Sequence, residues 1–241
     1  VLVLVLVLVL IVALLIAVVL CLMAALQVRG GQEGEMAGFR DDFGGGALDS
    51  GSWEVGDHAL GRGALVPRNV TVGEGVLGIS LPNGTLDGGE VNTKSPQGYG
   101  EYRIRMRVPD SPGSVTGFFL YSPPDYESEV DIEVYNDPSG RMLVTTYSSG
   151  DPEPTNSESV DLPFDPTRGL HDYGFDYGPD GVTFYADGES VEEFTSGVPE
   201  RPMPLYVNSW YPDWVAGGPP ESDGAVLVDL VESPGPAGKE S

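Results

Sequence analysis

The chain is poor in the residues that most often build metal and redox sites. Its one cysteine, Cys21, lies inside an N-terminal apolar run, so no disulfide and no cysteine-based metal site can form within the chain. The two histidines, His58 and His171, are far apart and lack ligand spacing, which argues against zinc. Positive charge is also scarce. Lysine occurs only at Lys94 and Lys239, and 12 basic residues face 37 acidic ones, a net charge of −25. Such a balance disfavours nucleic acid as a partner, because phosphate binding needs a basic surface. It likewise opposes adsorption to anionic lipid. An acidic, lysine-poor surface stays dispersed in strong salt, so a halophilic or salt-tolerant source is expected. Outside residues 1–26, no segment of helical period is long enough to matter.

What the sequence does contain is turn residues and short apolar runs. With 34 glycines and 21 prolines among 241 residues, it reads as all-β. The clearest strands are expected at Val76–Leu81, Gly89–Thr93, Tyr99–Val108, Ser114–Tyr121, Glu129–Tyr135, Met142–Tyr147, Leu170–Tyr177, Val182–Ala186, Leu205–Trp210 and Ala225–Val231. Asp187-Gly188, between VTFYA and ESVEEF, is a two-residue hairpin signal. The expected fold is a single antiparallel β-sandwich. Residues 1–26 are continuously apolar, long enough for a transmembrane anchor or a signal segment, and imply export to an extracellular or membrane-anchored location. Residues 27–38 read as a Gly-rich linker, 39–232 as the folded domain and 233–241 as a disordered tail.

One stretch stands out, Glu129-Val130-Asp131-Ile132-Glu133. On a strand, alternate side chains share a face. Val130, Ile132 and Val134 therefore read as core, while Glu129, Asp131 and Glu133 line up opposite. Three adjacent carboxylates repel one another and compete for protons. This pattern alone leaves three readings open. It can be a solvated strand in an acidic chain. It can be part of a calcium site, since Asp125 and Glu127 share the same parity. It can also be a glycosidase pair, in which one carboxyl attacks while another donates a proton. The α-carbons of residues 129 and 133 should lie ~13 Å apart at ~3.3 Å per residue, a span that long glutamate side chains can close.

The flanks bear on the choice. GGEVNTKSPQGYGEYRIRMRV, GFFLYSPP, ESEVDIEVYN, LHDYGFDYGPDGVTFYADG and LYVNSW occur in this order. Together they resemble glycoside hydrolase family 16, and in particular its lichenase-like branch of endo-β-1,3-1,4-glucanases. The resemblance covers residues 39 to 232. It implies a concanavalin-like jelly roll whose concave face holds a glycan, with Glu129 as nucleophile, Asp131 as assisting carboxylate and Glu133 as acid/base. It further implies that Glu90, Tyr147, Asn208 and Trp210 contact sugar, that Trp214 is a weaker contact, and that Trp53 and His171 are structural. A single residue between Asp131 and Glu133 is similar to lichenases and xyloglucan-active transglycosylases. Laminarinases, agarases and carrageenases usually have two.

The expected activity is retaining endo-hydrolysis of β-glucan, β-1,3-1,4 or β-1,3 linked, by a monomer whose partner is the polysaccharide. The alternatives are a transglycosylase using the same residues and a non-catalytic or calcium-stabilised glycan-binding sandwich. No cofactor is required. A structural calcium ion is implied at Asp229 by the resemblance alone. The pattern departs from lichenases at Glu127-Ser128, where Trp-Asp is usual, and at Asn92 and Thr145, which replace sugar-contacting Arg and Asn. These changes leave the chemistry better marked than the substrate.

Overall fold

The computed structural model describes residues 38–237, and they form an all-β sandwich. The anchor or signal segment 1–26, the linker up to residue 37 and residues 238–241 lie outside the described residues. Among the described ones, no helix is long and apolar enough to cross a membrane. The strands, in chain order, are β1 (Phe39–Asp41), β2 (Trp53–Val55), β3 (His58–Leu60), β4 (Gly63–Leu65), β5 (Val70–Gly73), β6 (Val76–Leu81), β7 (Gly89–Thr93), β8 (Gly100–Arg107), β9 (Val115–Tyr121), β10 (Glu129–Tyr135), β11 (Arg141–Tyr147), β12 (Asn156–Asp161), β13 (His171–Gly178), β14 (Gly181–Ala186), β15 (Glu189–Phe194), β16 (Leu205–Trp210) and β17 (Gly224–Ser233). One sheet runs β15-β14-β13-β8-β17-β6-β5, with β1 also paired to β17. The other runs β12-β11-β10-β9-β16-β7-β2, and β3 and β4 form a small hairpin.

The core follows from strand alternation. Val130, Ile132 and Val134 on β10 point inward with Phe118 and Leu120 on β9, Met142 and Val144 on β11, and Leu205 and Val207 on β16. Tyr102, Ile104 and Met106 on β8, with Tyr173 and Phe175 on β13, meet them from the other sheet. Phe118 and Phe175 touch across the interface at 5.5 Å, and Phe175 stacks on Tyr102 at 4.8 Å. Fully burying each such side chain contributes about 1.5–3 kcal/mol, so the inward face anchors β10 and leaves its outward face free for chemistry. Truncating Ile132 to alanine would cost about 2–5 kcal/mol and loosen the strand that carries the carboxylates.

Four expected strands form with the expected bounds, among them β10 and β16, and the others lie within a residue or two. Asp187 and Gly188 both take positive φ, as a primed hairpin turn requires. The domain ends later than expected. Residues 233–237 fall in the expected disordered tail, but Ser233 is fully buried and donates its hydroxyl to Gln97 Oε1 at 2.8 Å, and the Ala237 amide donates to the Pro96 carbonyl at 3.0 Å. Trp53 is buried and donates its indole N–H to Asp41 Oδ2 at 2.8 Å, the structural role expected of it.

Candidate active site

The outer face of the second sheet carries a cleft of ≈ 910 Å³, and β10 crosses its floor. β10 pairs with β9 and β11 in continuous register from Glu129 to Val134, so the strand is unbulged and the three carboxylates keep one face. Reading across the sheet, Asp131 lies opposite Thr145 on β11 and Phe119 on β9, and Phe119 lies opposite Tyr206 on β16. One step along, Glu133 is opposite Gly117, Gly117 opposite Asn208, and Asn208 opposite Glu90 on β7. At the other end, Glu129 is flanked by Tyr121 and Tyr147.

Each row has its own chemistry. Phe119 and Tyr206 stack at 5.0 Å and 15°, forming an apolar platform beside Asp131. Gly117 leaves the floor open between Glu133 and Asn208. A Cβ there would stand 2.7 Å from Asn208 Oδ1 and 3.2 Å from the Phe119 ring. Glu90 is buried and both its carboxylate oxygens are engaged. His58 Nε2 lies 3.2 Å from Oε1, and Asn208 Nδ2 donates to Oε2 at 3.3 Å. Burial raises the Glu90 pKa, while the His58 and Asn208 hydrogen bonds oppose the rise.

The three carboxyls hold protons unusually tightly. Burial, reinforced by the charge of Asp125, pushes Glu129 up to about 7. Burial and the Glu129 charge push Glu133 up to about 8, and a hydrogen bond from Trp210 pulls partly back. Asp131 is raised well above its ordinary value by burial and by both neighbours, against a hydrogen bond from Thr145 at 3.4 Å. A charged carboxylate loses hydration in the site and meets like charge there, so ionising one raises the cost of ionising the next. Near neutral pH, Glu129 therefore gives up its proton more readily than Glu133. Among the buried polar atoms that lack a hydrogen-bond partner among the described residues, Asp131 Oδ1 and Asn208 Oδ1 belong to residues that line the cleft.

The expected site residues Glu129, Asp131, Glu133, Glu90, Tyr147, Asn208 and Trp210 all line this one cleft, and Trp214 joins them at its edge. Tyr147, raised to about 12 mainly by burial, stays a neutral hydroxyl beside Glu129. Asp229 does not join them and does not fit a calcium role. It sits at a register shift in β17, and its two oxygens accept from Nε and Nη2 of Arg105 at 2.7 Å each. The guanidinium thus engages both oxygens of the one side chain expected to bind the ion. Among the described residues, no group of three acidic, histidine or cysteine side chains could hold a metal ion. His171 is structural, stacked on Phe164 at 3.7 Å and hydrogen-bonded to Asp187 Oδ2 at 2.8 Å. Thr145, expected only as a lost sugar contact, touches Asp131 instead.

Sequence reasoning missed Phe119, Tyr121 and Tyr206, which alternate outward on strands it had located. It also missed His58, Asp125 and Tyr126, which sit on the cleft rim. The available signal was parity, which Tyr206 shares with Asn208 and Trp210 on β16, while Phe119 and Tyr121 alternate with the core residues Phe118 and Leu120 on β9.

Residues 64–229 match the family model for glycosyl hydrolases family 16. The chain is 32% identical over 174 residues to a β-glucanase of Acetivibrio thermocellus, covering 68% of this chain and 52% of that protein. To a β-glucanase of Bacillus subtilis it is 29% identical over 184 residues, covering 71% and 74%. The chain thus spans about half the length of the Acetivibrio thermocellus proteins it matches. Its fold superposes on a prokaryotic β-1,3-1,4-glucanase (lichenase) from a mouse hindgut metagenome with a TM-score of 0.71, at 24% identity over 83% of this chain and 99% of that one.

Proposed function

The chain belongs to glycosyl hydrolase family 16, and from that premise we propose that it is an endo-β-glucanase that cleaves β-1,3-1,4- or β-1,3-linked glucan with retention of anomeric configuration. One observation carries this reading. Glu129 and Glu133 stand on one face of an unbulged strand at the floor of a cleft, and Glu129 is the more acidic of the two. The ionised Glu129 attacks the anomeric carbon. As the C1–O bond breaks, the protonated Glu133 transfers its proton to the departing oxygen. A glycosyl ester on Glu129 results. Glu133, now a carboxylate, takes a proton from water, which attacks C1 and regenerates both groups. Asp131 stands between them on the same face, where burial strengthens its hold on a proton and its charge bears on both neighbours.

The Phe119–Tyr206 platform supports a glucan substrate, because flat rings match the C–H faces of pyranoses. Glu90, Asn208 and His58 supply the polar groups that a sugar's hydroxyls need. The apolar N-terminal run supports export toward an extracellular polymer, and the net charge of −25 supports work in high salt.

The test is direct. Barley mixed-linkage glucan should yield new reducing ends with the wild-type protein and none with Glu129→Gln, whose circular dichroism should be unchanged. Proton NMR should show the β-anomer as first product. First release of the α-anomer would overturn retention, and turnover by the variant would remove Glu129 from its role. Product lengthening in the presence of acceptor oligosaccharide would instead identify a transglycosylase.

A further inference from the structure

Four non-glycine residues hold positive φ among the described residues, Phe43, Glu74, Tyr126 and Asp187. L side chains clash with the backbone in this region, and a bulky one there is an outlier. Three of the four have evident reasons. Phe43 is 2% exposed and belongs to the core. Glu74 and Asp187 each precede a positive-φ glycine in a tight turn between paired strands, β5–β6 and β14–β15. Tyr126 has neither reason. It is 40% exposed, one of the few large hydrophobic side chains left open to solvent.

Its surroundings hold it in place. The loop from Ser122 to Ser128 joins β9 to β10 and is closed by the Ser122 amide donating to the Ser128 carbonyl at 2.9 Å. The Gly150 amide donates to the Tyr126 carbonyl at 2.9 Å, which pins the strained residue to the neighbouring loop. Tyr121 donates its hydroxyl to Asp125 Oδ1. The Tyr126 ring leans on Tyr147 at 5.6 Å and 49°, and Tyr147 lies opposite Glu129. Tyr126 and Glu129 line the same cleft.

A strained backbone that presents an open aromatic ring to a cleft adds little to the core. The ring is placed for something that enters the cleft. We propose that Tyr126 is a sugar-stacking residue, which offers its face to a pyranose of the glucan chain beside the Glu129 end of the site and so helps to set substrate affinity. Tyrosine suits the task because its body is apolar and its hydroxyl stays wet. This inference rests on the reading of the cleft as a β-glucan site.

The test separates the two. A mixed-linkage glucan tetrasaccharide is titrated calorimetrically into the Glu129→Gln protein, which keeps the ligand intact, and into the same protein carrying Tyr126→Phe, Tyr126→Ala or Tyr126→Gly. Phenylalanine should bind like the parent. Alanine and glycine should each weaken binding about tenfold, equivalent to about 1.4 kcal/mol. Thermal melting supplies the second readout. Glycine relieves the positive φ, so Tyr126→Gly should melt at or above the parent while binding as poorly as Tyr126→Ala. Unchanged affinity in both variants overturns the proposal and leaves the glucanase reading intact. Lower affinity that only tracks a lower melting temperature, with Tyr126→Gly the less stable, also overturns it, since that is the mark of a packing residue. Absence of binding by the parent overturns both.

Discussion

Nε2 of His58 stands 3.2 Å from Oε1 of Glu90, so the most deeply set carboxylate at the far side of the cleft faces a half-exposed imidazole. The two stabilise each other's charged forms. Burial lowers the His58 pKa, but hydrogen bonds to the Ala59 carbonyl and to Glu90 outweigh it and leave it raised.

Replacing His58 with alanine should make substrate binding more sensitive to acid. Without the imidazolium, burial of Glu90 is opposed only by Asn208, and Glu90 takes up its proton at a higher pH. KM for mixed-linkage glucan should therefore climb earlier in the variant as pH falls from 7 to 5, with kcat less affected. Parallel KM–pH curves for the two proteins would remove His58 from the substrate-binding end of the cleft.

The pH–rate profile of the wild-type protein should be a narrow bell. Activity needs Glu129 ionised and Glu133 protonated, so kcat/KM should rise through about 7 and fall through about 8. The limbs belong to the pair rather than to either residue alone. Initial rates across a pH series at constant ionic strength test this. A broad plateau centred near pH 5 would mean that the carboxyls are not held at these values.

Asp125→Asn should move the acidic limb to lower pH. The Asp125 charge is one of the two causes that raise Glu129, with burial the larger. A neutral amide removes that cause, so Glu129 ionises at lower pH and activity persists further into acid. The shift should be partial, and the alkaline limb should move less. An unmoved acidic limb would show that the Asp125 charge does not reach Glu129.

The same protons govern stability. Glu129 and Glu133 have folded-state pKa values above the unfolded value of about 4.3. Their contribution to stability is complete below that value and is lost as pH rises through about 7 and about 8. Glutamine cannot ionise, so Glu133→Gln should melt like the wild type near pH 4.5 and several degrees higher near pH 8, at roughly 2–4 °C per kcal/mol for a domain of this size. Melting curves across pH decide this. A variant that is less stable than wild type at pH 8 would contradict a buried, strained carboxyl cluster.

Strict alternation made β10, β7, β6 and β16 legible, because each has one face in the core. The same parity placed Glu129, Asp131 and Glu133 together on the opposite face. β12, with the sequence NSESVD, has almost no apolar face and forms by pairing with β11 at the sheet edge, a relationship absent from its own residues. The short strands β1 to β4 likewise depend on partners. Within the site, Phe119 and Tyr206 were visible as outward strand positions, but only the register of β9 against β16 stacks them beside Asp131. The pairing of Asp229 was hidden for a similar reason. Its partner, Arg105, is 124 residues away in sequence and meets it where the β17 register shifts. Residues 233–237 were not legible as part of the domain because Ser233 finds its partner in Gln97, 136 residues earlier.

The pairing of β1 with β17 has a mechanical consequence. Phe39 lies opposite Ser233 in an antiparallel ladder, so the beginning of the first strand and the end of the last leave the sheet side by side. A force pulling residues 38 and 233 apart would load the rungs of this ladder one after another, as in opening a zipper, and β1 would peel away at low tension. The ladder itself lies in the sheet opposite the cleft, and the Trp53 indole on Asp41 ties it to the cleft-bearing sheet. β10, the strand that carries both Glu129 and Glu133, pairs with neither β1 nor β17 and would feel that load only indirectly.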